Sequence, residues 1–541
     1  MNISQNSKSH FFYLAILLSV TFLVLYKGVT ISFSSDDYVH LQNNIHFKNF
    51  AEALDVFVHP YGREYRPLVR LSLWLNHQMG ETAIPYKLSN IAMHLLCVVF
   101  VYLIMLQLGI EKIAALIGAG FFAFHPIHTT SIHFILGRTD LVAAVFYLAA
   151  LVVVSGWAAR ISLFQYLLAG CLFVAALCSK ELSITLPAVM LAILVIKNRS
   201  FSPQAIFCEG LRLWLFAVIA LVYLAARFYL WRDMTEAISV YTDFSLKNIA
   251  TNYGEWMFGL LYPFDLYVAH EWLHQHRLAF VVIAFVSLML LSVLVWRLLG
   301  DSRKTLVRDP LLWFGLGWIL VTLIPNAGGN AHRWYLYVPS VGLGIVLAIL
   351  WRHVVPARRA LLAVVYALVL CVYAVETTRQ SIIWNKQSEL TENFIRAFEQ
   401  QGLHKKEKVF FANVPFGYKG AFLFSFSSLQ EALQVRNGEF PLVYAVSYLN
   451  IDDQTEIDVG VSGDAITFTI APTAFQYFML SASERRFADL LSRDVYGYGL
   501  KVTELNSTGR ILKYQIVGKV DAGPLYYFDG RTIKHVDFKG Q

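Results

Sequence analysis

The stretch FFAFHPIHTTSIHFILGRTDLVAAVFYL, Phe121–Leu148, has an apolar arm at each end and a polar middle. The arms belong to two longer apolar segments, 113–127 and 139–157, and the middle holds His125, His128, His133, Arg138 and Asp140. Arms apolar on every face do not suit the surface helices of a soluble protein, which alternate at helical spacing. They suit helices in a bilayer, with the polar middle marking where the chain emerges.

The pattern repeats outward from there. The chain has 541 residues, 57% hydrophobic and 15% charged, where a soluble protein carries about a quarter charged residues. Apolar segments recur at 11–31, 88–108, 163–179, 182–197, 209–230, 278–298, 311–325, 335–351 and 360–376. With the first two this predicts a polytopic α-helical membrane protein of about eleven spans. No small-residue cleavage site follows Phe11–Tyr26, so the first helix is expected to be retained. The five cysteines lie in or beside apolar segments and imply no disulfide framework. A net charge of +7 without a basic tail gives no reason to expect a nucleic-acid partner.

Lys and Arg in the short loops set the orientation. With the N-terminus cytoplasmic, the inner loops carry Lys112, Arg160, Lys197, Arg199, Arg297, Arg303, Lys304, Arg308, Arg352, Arg358 and Arg359. The unusual polar stretches then share the outer side: FSSDDYVH (Phe33–His40), YGREYRPL (Tyr61–Leu68), the middle of the opening stretch, SKE (Ser179–Glu181), DLYVAHEW (Asp265–Trp272) and NAHRWYLY (Asn330–Tyr337). A single polar rim implies a single active face. Residues 1–378 are expected to form the transmembrane domain. Residues 379–541, with alternating runs such as VFFANVPF and AITFTIA, are expected to form a small soluble α/β domain on the outer side.

On that rim, Asp36 and Asp37 are adjacent. They are either helix-capping groups or a carboxylate pair whose mutual repulsion makes one a better general base. As hard oxygen ligands they are also open to a divalent cation. Arg138 and Lys180 have bland readings as partners of Asp140 and Glu181. Together with Arg333 they form a set of cations suited to an anion, the guanidinium fork especially to phosphate. His125, His128 and His133 lack the spacing of a tetrahedral zinc set; His125–Pro126 more simply shapes the loop that carries Arg138. His270, His274 and His276 form a second histidine group.

Taken in order, DDYVHLQNN, YRPLVRLSLWLN, PYKLSNIAMHLL, the opening stretch, CSKELSITLPAVML and AHRWYLYVPSVGL resemble membrane glycosyltransferases of the GT-C class. They are most similar to the transmembrane-and-tetratricopeptide-repeat O-mannosyltransferases and their bacterial relatives, over roughly residues 30–345. The resemblance implies inverting transfer of a sugar from a polyprenyl-phosphate-linked donor to an acceptor hydroxyl, on the non-cytoplasmic face. The resemblance places the family's acidic pair on Asp36 and Asp37, and the chemistry of the transfer makes one of them, Asp37 foremost, the expected base. Arg138, Lys180 and Arg333 hold the donor phosphate, and Arg66, Glu181 and His125 support them. No cofactor and no resident metal is implied, Asp36 and Asp37 being the one place for a divalent cation. Two departures stand out. His332 precedes Arg333 where the family has a glutamate, and residues 379–541 show no 34-residue repeat. The expected partners are the lipid-linked donor, membrane lipid, and a protein, glycan or lipid acceptor. The expected location is a bacterial inner membrane with the C-terminal domain periplasmic. The competing readings are a lipid-linked-sugar transporter or flippase, which would favour inverted repeats and midplane charges, and a glycan ligase.

Overall fold

The computed structural model describes residues 3–42, 47–58, 65–157, 161–231, 243–262, 276–419, 421–424, 428–438, 441–445, 448–451, 457–462, 465–470, 475–477, 493–495, 498–505, 511–517, 525–529 and 531–536. By its contacts the chain divides into two units. The first comprises Met1–Val29, Asn49–Leu266 and Leu278–Ser381; the second includes Thr30–Lys48 and Ile382–Gln541. The expected boundary at 378/379 falls inside one continuous helix, Arg359–Gln400, whose first half belongs to the first unit and whose second half belongs to the second.

The first unit is helical, and each of the eleven expected segments overlaps a helix. Among the described residues, five helical stretches are long and apolar enough to cross a membrane: Phe11–Thr30, Ile84–Gln107, Ile135–Ser155, Val281–Val307 and Pro356–Gln400. The number rises to seven if two bent pairs count as one span each. Leu163–Leu177, Pro310–Asn326 and Ser340–His353 are apolar but shorter. The difference from about eleven full spans has a local cause. Where regular helices were expected to continue, the chain breaks into tight turns at Pro126–His128, Glu181–Thr185, Ile324–Asn326 and Arg333–Leu336. Proline opens the first of these turns and stands second in Ile324–Asn326, positions where its fixed φ suits the turn and its missing N–H costs no intrahelical bond. The protein is an integral membrane protein.

Elsewhere the ends follow ordinary capping chemistry. Ser162 and Gln165 form a reciprocal capping box at the start of Leu163–Leu177. Asp309 accepts the Leu311 N–H ahead of Pro310–Leu323. Two glycine pairs let three helices meet backbone to backbone, as is usual between helices in lipid. A methyl at Gly118 would lie 2.6 Å from the Gly344 carbonyl oxygen, and one at Gly315 would lie 2.9 Å from the Gly342 carbonyl oxygen. Lys112–Phe124, Ser340–His353 and Pro310–Leu323 are thereby locked in register, with Phe121, Trp318 and Ile345 in the core around them.

In the second unit the alternating runs fall on strands. Lys408–Phe411 runs parallel to both Leu442–Ala445 and Leu525–Phe528, and Ile533–Val536 pairs antiparallel to the latter. Ile457–Ser462, Ala465–Ile470, Ile511–Val517, Tyr498–Leu505 and Arg493–Val495 form, in that order, a five-stranded antiparallel sheet. A third sheet holds Ala421–Phe422, Val414–Tyr418, Tyr448–Ile451 and Phe475–Tyr477. The helix Ser428–Asn437 lies between the strands that end at Phe422 and begin at Leu442.

Candidate functional site

In the first unit Arg138 opens the helix Arg138–Ser155 and is fully buried. Its Nε donates to Asn90 Oδ1 at 2.8 Å and its Nη2 to the Tyr86 carbonyl at 2.7 Å. Nη1 donates to Asn76 Oδ1 at 2.5 Å and to the Ser72 carbonyl at 3.1 Å. Asn90 in turn donates to the Ile132 carbonyl at 3.1 Å, and Lys87 Nζ to the His133 carbonyl. The guanidinium thus ties Pro67–Met79 and Ile84–Gln107 to the start of its own helix, using neutral acceptors. That is the geometry of a clamp.

The expected ion pairs are exchanged. Lys180 Nζ pairs with Asp140 Oδ1 at 2.5 Å, the two side chains 5% and 4% exposed. Glu181 instead takes two guanidiniums, Arg66 Nη2 on Oε2 and Arg227 Nη2 on Oε1, both at 3.1 Å. The backbone explains the exchange. Lys180 is extended (φ −159°, ψ 145°) and Glu181 begins the tight turn that follows, so adjacent side chains leave in different directions. This network sets three cations against two carboxylates among apolar helices. Charges placed there are costly and mark function more often than packing. Arg227 was not singled out in the sequence. Its signal was available, as a guanidinium inside the apolar segment 209–230; its Nη1 also donates to the Tyr223 hydroxyl at 2.6 Å.

Lys180 Nζ lies 5.1 Å from the centroid of the Tyr335 ring, a cation–π contact. His332 stacks on Trp334 with centroids 4.1 Å apart, next to Arg333 at the start of the turn Arg333–Leu336. Burial, reinforced by the Lys180 charge and opposed by Glu255, pushes the His332 imidazole down to about 4. At the position where a glutamate was expected, this chain therefore carries a neutral ring at pH 7.

The histidines of the opening stretch serve separate partners. His125 Nε2 meets the Leu260 carbonyl at 3.1 Å, His128 Nε2 the Ser340 hydroxyl at 3.3 Å, and His133 Nε2 the Ser381 hydroxyl at 2.8 Å. Among the described residues no group of three or more His, Cys, Asp or Glu is placed to hold a metal. His270, His274 and the whole of DLYVAHEW lie outside the described residues.

The acid pair lies in the second unit. Asp36 and Asp37 begin the short helix Asp36–Gln42. Asp37 is fully buried and its Oδ2 accepts the Ser34 N–H at 3.1 Å, while Asp36 is half-buried. That bond ties the first turn of the helix back to the turn that leads into it. Ser35 turns the chain into this helix at φ +48°, a left-handed conformation that a side-chain-bearing residue adopts only when held. It is held: the Ser35 N–H donates to the Leu423 carbonyl at 2.8 Å and the Ser32 N–H to the Ser388 hydroxyl at 2.8 Å.

No family model matches the chain. The mouse (Mus musculus) protein O-mannosyl-transferase TMTC3 is 37% identical over 89 residues, 16% of this chain and 10% of that protein. A Caenorhabditis elegans protein O-mannosyl-transferase is 30% identical over 155 residues, 26% of this chain and 22% of that protein. Among solved structures, ArnT from Cupriavidus metallidurans bound to undecaprenyl phosphate aligns over 80% of this chain and 85% of its own, at 13% identity and a TM-score of 0.41. The chain is an integral membrane protein with a segment similar to membrane O-mannosyltransferases. The resemblance carried by its motifs holds over that part, and the match spans about a tenth to a fifth of the curated relatives' length.

Proposed function

We propose that this protein is a membrane glycosyltransferase that moves a sugar from a polyprenyl-phosphate-linked donor to an acceptor hydroxyl, with inversion, on the non-cytoplasmic face of a bacterial inner membrane. The observation that carries this reading is the network Arg66–Glu181–Arg227 with Lys180–Asp140, an excess of cations set among apolar helices. A lipid anchored in the bilayer with a phosphate at its head matches both halves of that environment.

In the proposed reaction the acceptor oxygen attacks the anomeric carbon from the face opposite the lipid phosphate. The bond from that carbon to the phosphate oxygen breaks, and its electron pair leaves with polyprenyl phosphate. The acceptor's proton passes to a carboxylate of the Asp36–Asp37 pair. The leaving phosphate needs no proton if cations stabilise its growing charge. Lys180 and Arg333, with Arg66 and Arg227, take that role. Glu181 spaces the two guanidiniums and Asp140 fixes the ammonium, while Arg138 holds Pro67–Met79 and Ile84–Gln107 to the start of its own helix. The acceptor is a protein, glycan or lipid.

The test is release of polyprenyl phosphate. Purified protein is given a panel of radiolabelled polyprenyl-phosphate sugars and a membrane extract as acceptor. Transfer from one donor is expected. Tight donor binding without release from any of them would point instead to a lipid-linked-sugar transporter.

A further inference from the structure

Within the second unit the acid pair is joined to residues more than 350 positions away. Tyr38, the residue after Asp37, is 2% exposed and lies beside the Arg436 guanidinium. Arg436 lies in the helix Ser428–Asn437, against which the helix Asp36–Gln42 packs. The same guanidinium also bridges two carboxylates one heptad apart on the long helix: Nη1 to Glu392 Oε2 at 2.6 Å and Nε to Glu399 Oε1 at 3.2 Å. Phe33 closes the other side of Tyr38, ring edge to face at 6.1 Å. Thr30 and Ser32 are bonded to Asn385 and Ser388, the same helix one to two turns earlier, and the Ser35 N–H to Leu423. A segment of a few residues with a left-handed serine at its centre is thereby fixed at its start, its middle and its helical end.

We propose that the C-terminal part of the chain positions the carboxylate pair, with Arg436 acting through Tyr38 as the residue that holds the Asp36–Gln42 helix in its working orientation. The C-terminal unit is on this account a component of the catalytic apparatus rather than an appended binding module. The physical reasoning is that of a fixed base. A carboxylate must sit within about 3 Å of the proton it takes, and displacement by about 1 Å costs on the order of a hundredfold in rate. A buried phenol packed beside a guanidinium that is itself held in two directions by Glu392 and Glu399 leaves the Asp36–Gln42 helix little freedom to drift. The proposal rests on the reading of Asp36 and Asp37 as the base, so its test uses two readouts.

The full-length protein is purified in detergent as wild type, Arg436→Ala, Arg436→Lys and Tyr38→Phe. Amide hydrogen exchange is followed in peptides from residues 30–42, and sugar transfer is measured on the same samples. Exchange in 30–42 is expected to rise at least tenfold in Arg436→Ala and by a smaller factor in Tyr38→Phe, with the helices of the first unit unchanged. Turnover is expected to fall about tenfold to a hundredfold with donor KM altered less than twofold, and Arg436→Lys to recover part of both effects. Unchanged exchange in Tyr38→Phe and Arg436→Ala would overturn the proposal. So would faster exchange with undiminished turnover. If Arg436→Ala loosens the whole protein, Tyr38→Phe, which removes one oxygen atom, decides alone. A wild type that transfers no sugar while its variants still loosen 30–42 would reject the glycosyltransferase reading and leave the positioning contact standing.

Discussion

Lys180 Nζ and Asp140 Oδ1 stand 2.5 Å apart with almost no access to solvent. Each comes from a different motif, Asp140 from GRTD and Lys180 from SKE, so a single ion pair ties the two polar interruptions of the apolar helices together. Removing one partner leaves an uncompensated charge in a low-dielectric setting, which costs about 3–5 kcal/mol, whereas removing both restores much of the loss. Lys180→Met is therefore expected to lower the melting temperature in detergent sharply, and Lys180→Met/Asp140→Leu to recover most of it while remaining inactive. An undiminished melting temperature in the single variant would show the pair to be incidental.

Arg138 is expected to behave as a clamp. Its donors reach Asn76, Asn90 and the carbonyls of Ser72 and Tyr86, so Arg138→Met strands buried acceptors, each at a cost of about 1–3 kcal/mol. The measurable outcome is poor recovery of folded protein and a lowered melting temperature. A variant that folds normally but shows a raised donor KM would return Arg138 to the phosphate itself.

His332 gives the protein an acid-side sensitivity. Its folded value near 4 lies below the ordinary 6.5, so between those values the unfolded chain binds a proton that the folded chain does not. The stability that this group contributes is complete above about pH 6.5 and falls as pH drops toward 4. Thermal melts across that window should show His332→Gln losing less stability on acidification than the wild type. Parallel pH profiles for the two would argue that the ring is accessible and titrates normally.

Gly118 has no room for a side chain because the Gly344 carbonyl oxygen occupies that place. Gly118→Leu is expected to separate Lys112–Phe124 from Ser340–His353 and to destabilise the protein by about 1–3 kcal/mol or more, as overpacking does. Gly254, where an added methyl meets nothing within 4 Å, provides the control: Gly254→Ala should be neutral or slightly stabilising.

Much of the helical unit was legible because apolar length is a strong signal, and the helices fall where the runs lie. The broken ends were not legible. Whether a run continues or turns at His125–Pro126 or at Lys180–Glu181 depends on the partners its polar groups find, and those come from other helices. For the same reason all residues of the charge network but Arg227 could be named while their pairing could not: Lys180 and Glu181 are neighbours in sequence but bond to Asp140 on one side and to Arg66 and Arg227 on the other. The tie from Asp36–Asp37 to Ser388, Leu423 and Arg436 spans more than 350 residues, and nothing local to either segment announces it. Tyr38 reads as an ordinary apolar position of a short helix until Arg436 is seen beside it.

The most direct test of the account is transfer from a radiolabelled polyprenyl-phosphate sugar by the purified wild type, alongside Asp37→Asn and Asp36→Asn. The account predicts release of polyprenyl phosphate with the sugar on the acceptor in inverted configuration, reduced at least a hundredfold in Asp37→Asn while the protein stays folded and binds donor. Full transfer by both asparagine variants would contradict it.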